Sequence, residues 1–238
     1  MKTILVDIGN TCIKGCETDG RHLLRSFSCQ TKDVSKSSFF TEFEPELCLV
    51  CSVVPEALEK LREIGPKIRI LAVGQELKPE IKSAYDLTQL GADRLLNIWT
   101  AGKIYTPPLL VVSAGTALTV DYINPDGFHE GGLICSGIRS GLRSLSENTA
   151  ALFETGLHKP DSLWALNTAD ALNNGFCNQA IFFIKKIPEQ LPGRTKTIIT
   201  GGDSSLIDIQ ESVIFPELAL QGLLMLLMEL SQEHTISV

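Results

Sequence analysis

The chain lacks a hydrophobic run able to cross a bilayer: no stretch reaches the roughly 18 uninterrupted apolar residues that a spanning helix takes. The richest stretch, Leu218 to Leu230, is interrupted by Gln221 and Glu229 and reads as a buried helix. At the N-terminus the short apolar run Ile4-Leu5-Val6 is stopped by Asp7, too short for a secretory signal. The expectation is a cytoplasmic protein with no membrane partner. Positive charge is also scarce. Lys plus Arg total 21 against 28 for Asp plus Glu, a formal net charge of -7. That argues against a nucleic-acid partner, because tracking a phosphate backbone needs a positive field; a small anion site built from backbone N–H groups stays open. The seven cysteines form no even disulfide framework. Cys48 and Cys51 have CxxC spacing, but they fall in Leu47 to Val54, which reads as a strand, where positions i and i+3 point to opposite faces. With no second CxxC and four scattered histidines, the thiols read as buried, reduced side chains and not as zinc ligands or a redox pair.

What the chain does have is apolar content. Its 238 residues are 44% hydrophobic, enough to bury a core without disulfides or a structural metal. Length over ~150 residues per domain leaves one large domain or two small ones open. The pattern of elements favours two. Lys2–Asp7, Thr11–Glu17 and Arg21–Cys29 read as strands separated by Gly9-Asn10 and by the hairpin signal Asp19-Gly20. A polar stretch, a strand at Leu47–Val54, a helix opened by Pro55, a strand at Ile68–Val73 and a helix at Asp93–Tyr105 follow. Thr106-Pro107-Pro108 breaks that helix, and the pattern restarts: strands at Leu109–Val112, Ala117–Ile123 and Phe128–Ile134, helices near 137–148 and 168–190, a strand at Lys196–Thr200 and a final helix near 217–231. The expectation is an internal duplication, two α/β domains over 1–107 and 108–238, with a ligand cleft between them.

Four segments carry candidate chemistry. In Asp7-Ile8-Gly9-Asn10-Thr11, a glycine in a tight strand-to-strand turn lets backbone approach a ligand, and a carboxylate at the strand end can hold Mg²⁺ through water. Lys14, three residues on, adds positive charge. An ordinary hairpin turn uses the same residue types. The second half repeats the arrangement in Ser113-Ala114-Gly115-Thr116-Ala117, as a phosphate clamp between two domains requires, with Thr116 offering a hydroxyl and an N–H. Thr200-Gly201-Gly202-Asp203 is a glycine turn where backbone can pass close to a ligand, or a plain strand-to-helix turn. Gly91-Ala92-Asp93-Arg94 opens a helix. Asp93 is either its N-cap or a general base beside a substrate hydroxyl, and Arg94 could grip an anionic group in a forked geometry. Elsewhere, His129-Glu130 could pass for an acid–base couple or a polar neighbour of a glycine loop. Arg139 and Arg143 share a helix face, and Phe182-Phe183 reads as core or dimer interface.

In their order and spacing, Asp7-Ile-Gly-Asn-Thr11, Gly91-Ala-Asp-Arg94, Gly115-Thr116-Ala117, Gly131-Gly132 through Gly137, Asn167-Thr168 and Thr200-Gly201-Gly202 resemble type III pantothenate kinases, within the superfamily of actin, sugar kinases and heat-shock ATPases. The resemblance spans about residues 3 to 225. It implies two ribonuclease-H-like domains, each a mixed sheet flanked by helices, with ATP between them and phosphoryl transfer to pantothenate, the first step of coenzyme A synthesis. Asp7, Ile8, Gly9, Asn10, Thr11, Cys12, Ile13 and Lys14 would hold the ATP phosphates, with Asp7 near Mg²⁺, and Thr116 matches an ATP contact. Asp93 matches the proton acceptor, and Gly91, Ala92, Asp93 and Arg94 the pantothenate-binding segment. Thr168 matches a substrate contact made across a homodimer interface, and Tyr85 a substrate-contacting tyrosine, at a spacing one residue short. Two positions depart from the pattern. Ser136 stands where the family has proline. Ser113 stands where the family has the aspartate that binds an activating monovalent cation (K⁺ or NH₄⁺). A serine hydroxyl lacks the charge that offsets cation desolvation, so little dependence on potassium is expected. A relative that binds nucleotide in an accessory role, or a superfamily kinase with another alcohol acceptor, are the competing readings.

Overall fold

A computed structural model describes residues 1–36 and 38–232. Three strands open the chain, β1 (Thr3–Ile8), β2 (Cys12–Thr18) and β3 (Leu23–Gln30). The Asp19-Gly20 turn separates the last two, with Gly20 at φ +87°. A 3-10 turn at Thr31–Lys36 and the short α1 (Phe39–Phe43) lead to β4 (Leu47–Ser52), α2 (Pro55–Ile64), β5 (Arg69–Ala72) and α3 (Ala92–Ile104). Pro55 sits in the first turn of α2, where its missing N–H costs nothing. The chain then forms β6 (Leu109–Ala114), β7 (Ala117–Ile123), β8 (His129–Ser136), α4 (Ile138–Asn148), α5 (Thr168–Lys186), β9 (Lys196–Thr200), the two-residue β10 (Val213–Ile214) and α6 (Leu218–Gln232).

The strands make two sheets of one topology. The first has the order β3-β2-β1-β4-β5, and the second, read from its matching edge, β8-β7-β6-β9-β10. In each, the first three strands pair antiparallel as successive hairpins, and the fourth and fifth add parallel on the other side of the first. This is the duplicated ribonuclease-H-like α/β pattern expected from the motif order.

Contacts group the chain into two units. One holds residues up to Ile81, Asp86–Lys103 and the chain from Glu217; the other holds Lys82–Tyr85 and Ile104–Pro216. A single cut at 107/108 therefore leaves α6 with the second half, whereas its contacts are with β1 and β4 of the first sheet. One face of that sheet packs Leu5, Leu49 and Cys51 against Leu96 and Trp99 of α3 and Leu220, Leu223, Leu224 and Leu227 of α6. The opposite face packs Ile4, Val6, Ile8, Cys48 and Val50 against Leu58 and Leu61 of α2 and the Phe39, Phe40 and Phe43 cluster of α1. Burial of each such leucine is worth roughly 2 kcal/mol, so α6 is a main support of the first sheet. Cys48 and Cys51 lie in opposite cores, as strand alternation requires, and all seven cysteines are free. In the second unit, Leu110, Val112 and Ala114 pack against Ile138 and Leu142 of α4 and Cys177, Ile181 and Ile184 of α5. Among the described residues no helix is long and apolar enough to cross a membrane.

Candidate active site

The first unit gathers charge at the C-terminal end of β1. Register places Asp7 opposite Lys14 on β2 and opposite Cys51 on β4, so the three side chains form a row on one face of the sheet. The turn beyond is closed by Gly9 N–H donating to the Cys12 carbonyl at 3.1 Å, and Thr31 Oγ1 donates to the Gly9 carbonyl at 2.6 Å. Ile8 and Ile13 are buried anchors of the hairpin, Cys12 is half-buried, and Asn10 and Thr11 are exposed at its tip. Gly9 N–H is thus committed to closing the bend.

Asp93 enters this neighbourhood from the first turn of α3. Its carboxylate accepts the Arg94 N–H at 2.8 Å. A Cβ on Gly91 would lie 2.7 Å from Asp93 Oδ1, so the glycine makes room for the carboxylate. Arg94 is buried. Asp7 feels Asp93 directly. Burial first, and then the Asp93 charge, push the Asp7 carboxyl up to about 7, while Lys14 pulls the other way. Cys51, buried beside both carboxylates, is held as a neutral thiol by burial and by their charge.

The second unit builds a matching bend. Gly115 N–H donates to the Ala117 carbonyl at 3.0 Å, as Gly9 does in the first. Register sets Ser113 between Thr119 and Thr200, a row of neutral hydroxyls where the first sheet has Lys14, Asp7 and Cys51. Two further glycine segments close on this bend. At the start of α4, Gly137 N–H and Ser140 Oγ both donate to the Thr116 carbonyl, at 3.1 and 2.7 Å. A Cβ on Gly137 would fall 1.9 Å from the Gly115 carbonyl oxygen. From the other side, Gly201 (φ +96°) lies against Ala114, and the Asp203 N–H donates to the Ala114 carbonyl at 3.0 Å. The buried Asp203 carboxylate accepts from Arg139 Nε at 2.8 Å. The double-glycine turn leads into a 3-10 turn at Ser204–Leu206, not directly into an α-helix. Thr116 is exposed at the tip.

The remaining expected residues are all in the second unit. Tyr85 is half-buried near His129, and Thr168 is the exposed first residue of α5, after Asn167, whose side chain accepts the Asp170 N–H at 2.9 Å. Arg139 pairs with Asp203 and Arg143 with Glu147, and both arginine side chains are exposed. His129 does not act with Glu130: its partners are Asp121 and Ser83, which sequence inspection missed because they come from a neighbouring strand and a distant segment. Phe183 packs on the core while Phe182 is exposed.

Three comparisons bear on this geometry. A family model described as type III pantothenate kinase matches residues 3–190. A type III pantothenate kinase of Sulfurihydrogenibium sp. (strain YO3AOP1) is 32% identical over 170 residues, and the match spans 66% of this chain and 66% of that relative's length. Among solved structures, a Campylobacter jejuni protein assigned to the Baf family of transcriptional activators superposes with a TM-score of 0.67 at 22% identity, covering 98% of this chain and 100% of the other. A Sinorhizobium meliloti protein assigned as a 2-dehydro-3-deoxygalactonokinase gives a TM-score of 0.59 at 12% identity over 94% of this chain and 97% of its own. At such identities the two structures show the shared fold alone.

Proposed function

Since the chain belongs to the type III pantothenate kinase family, we propose that it transfers the γ-phosphoryl group of ATP to the terminal hydroxyl of pantothenate, forming 4'-phosphopantothenate for coenzyme A synthesis. The observation that carries this reading is the placement of Asp93, at the mouth of α3, within electrostatic reach of Asp7 at the end of β1. Phosphoryl transfer asks a protein for positioning and charge neutralisation, with a base in reach of the attacking hydroxyl. Asp93 takes the hydroxyl proton, held in place by the Arg94 N–H and by the space that Gly91 leaves. Gly91, Ala92, Arg94 and Tyr85 bind pantothenate.

The Asp7–Lys14 hairpin and Thr116 hold ATP. Among the described residues no group of three or more His, Cys, Asp or Glu is arranged to hold an ion alone. One or two carboxylates fit Mg²⁺, which keeps most of its waters and shares itself with phosphates. Asp7 fits the part, because its burial beside Asp93 disfavours the bare carboxylate and a cation would relieve that cost. When bound, Mg²⁺ supplies charge neutralisation at the transferring phosphoryl group. At Ser113 the register partners on both neighbouring strands, Thr119 and Thr200, offer a monovalent ion neutral hydroxyls. The protein works as a cytoplasmic homodimer in which Thr168 of one copy reaches the pantothenate of the other.

The test is ADP release with pantothenate as acceptor. Asp93→Asn is expected to lower kcat at least about 100-fold, as loss of a general base does, with the KM for ATP little changed. Full turnover in that variant overturns the assignment of Asp93. Nucleotide binding without any ADP release in the parent protein indicates the accessory role, and release only with another alcohol indicates a different acceptor.

A further inference from the structure

One buried polar cluster lies outside the machinery described above. The segment Lys82–Tyr85 runs along β8, the edge strand of the second sheet, where Ser83 bridges His129 in parallel. The His129 N–H donates to the Lys82 carbonyl at 2.8 Å, and the Ala84 N–H donates to the His129 carbonyl at 3.0 Å. Side chains then lock the same junction. His129 Nε2 lies 3.0 Å from Asp121 Oδ1, and Nδ1 lies 2.7 Å from Ser83 Oγ. His129 and Asp121 are both almost wholly buried. The Tyr85 N–H donates to Ser83 Oγ at 2.9 Å, and the Tyr85 ring centroid lies 6.1 Å from that of His129.

The proton positions follow from the partners. A carboxylate only accepts, so Nε2 carries the imidazole proton and donates it to Asp121. In the neutral imidazole Nδ1 is then an acceptor, and the Ser83 hydroxyl donates to it. The lone pair left on Ser83 Oγ takes the Tyr85 N–H. The chain of bonds runs in one direction, from Tyr85 N–H through Ser83 and His129 to Asp121, with every member satisfied. Such a network is stiff, since breaking any link leaves a buried polar group without a partner.

Asp, His and Ser also make up a hydrolase triad. Here the hydroxyl is engaged on both sides and the imidazole is buried, an arrangement suited to a strut. We propose that Ser83, His129 and Asp121 are positioning residues for pantothenate, holding the backbone at Tyr85 so that its side chain is presented in one orientation. The inference rests on the reading of Tyr85 as a substrate contact.

The experiment measures kcat and both KM values in Ser83→Ala, Ser83→Thr and Tyr85→Ala. Ser83→Ala breaks the chain at its half-buried end and is expected to raise the KM for pantothenate about tenfold, with kcat and the KM for ATP within about twofold. Ser83→Thr keeps the hydroxyl and is expected to restore the KM for pantothenate to within about threefold of the parent. An unchanged KM for pantothenate in Ser83→Ala, with a raised one in Tyr85→Ala, overturns the strut and leaves the substrate reading standing. If Tyr85→Ala is also silent, the substrate reading of Tyr85 falls and the proposal with it. Losses spread equally over kcat and both KM values show plain structural damage and overturn the proposal, as does covalent labelling of Ser83 by a fluorophosphonate probe, which marks a nucleophile.

Discussion

At the scale of single residues, the two sheets carry different chemistry at the same topological position. Asp7 and Ser113 both sit at the end of the central strand before a glycine bend, but one is a carboxylate in a charged row and the other a hydroxyl among hydroxyls. Asp7 is a stability cost at neutral pH. Its pKa in the folded state, about 7, lies above the ordinary carboxylate value because of burial and Asp93. Between about pH 4 and pH 7 the native state therefore binds more protons than the unfolded one, and stability falls as pH rises through that window. Asp7→Asn removes the penalty. In metal-free buffer its Tm is expected to exceed that of the parent by a few degrees at pH 8 and to equal it near pH 4, while turnover falls; thermal unfolding across pH in EDTA checks this. Equal Tm values at pH 8 contradict it.

Ser113 makes the opposite case. Turnover is expected to change by less than about twofold when potassium is exchanged for choline at constant ionic strength, because neutral hydroxyls alone poorly repay cation desolvation. Ser113→Asp, with Thr119 and Thr200 as added oxygens, is expected to make activity depend on potassium. A strong requirement in the parent protein would locate the ion in another oxygen cage.

At the scale of elements, the second bend is built by contacts that no local pattern announces. Gly137 is a helix-start glycine in sequence, yet its importance lies in the Gly115 and Thr116 carbonyls packed against it. A Cβ there meets backbone, which cannot rotate aside. Gly137→Ala is expected to destabilise the protein by about 1–3 kcal/mol, the usual cost of overpacking, and to raise the KM for ATP. Gly175→Ala, inside α5 with open space around it, serves as the control and is expected to be neutral or stabilising. Chemical denaturation of the two variants separates steric from conformational effects; equal stabilities overturn the argument. The same contrast explains what the sequence made legible. Hairpins and helix starts show through local signals, as at Asp19-Gly20 and Pro55. The Asp7 and Asp93 motifs could be picked out individually, but not their electrostatic coupling. The two-residue β10 is too short to leave a periodic trace. The placement of α6 beneath the first sheet is a tertiary choice between two apolar cores, and its leucines suit either. His129 invited pairing with its chain neighbour Glu130, whereas adjacent side chains on a strand diverge and its partners lie on the neighbouring strand β7 and on the segment across the sheet edge.

At the scale of the whole molecule, a surface feature bears on assembly. Trp164 is 82% exposed and Leu166 fully exposed, with Phe153, Leu163 and Phe182 also open to solvent. A net charge of -7 already keeps copies apart in a non-specific sense, so such apolar exposure is best accounted for by a specific cover. Leu163, Trp164 and Leu166 lead directly into Asn167 and Thr168, the second of which is proposed to serve a second copy's substrate. One surface would then both join the copies and deliver a binding residue, which ties affinity for pantothenate to assembly. Trp164→Asp puts a charge where the cover would sit. It is expected to shift the protein from dimer to monomer in sedimentation velocity and, in the same samples, to raise the KM for pantothenate with the KM for ATP little changed. A parent protein that sediments as a monomer at assay concentration, with full activity, removes the partner's threonine from the site; a dimer unaffected by the substitution moves the interface to another face.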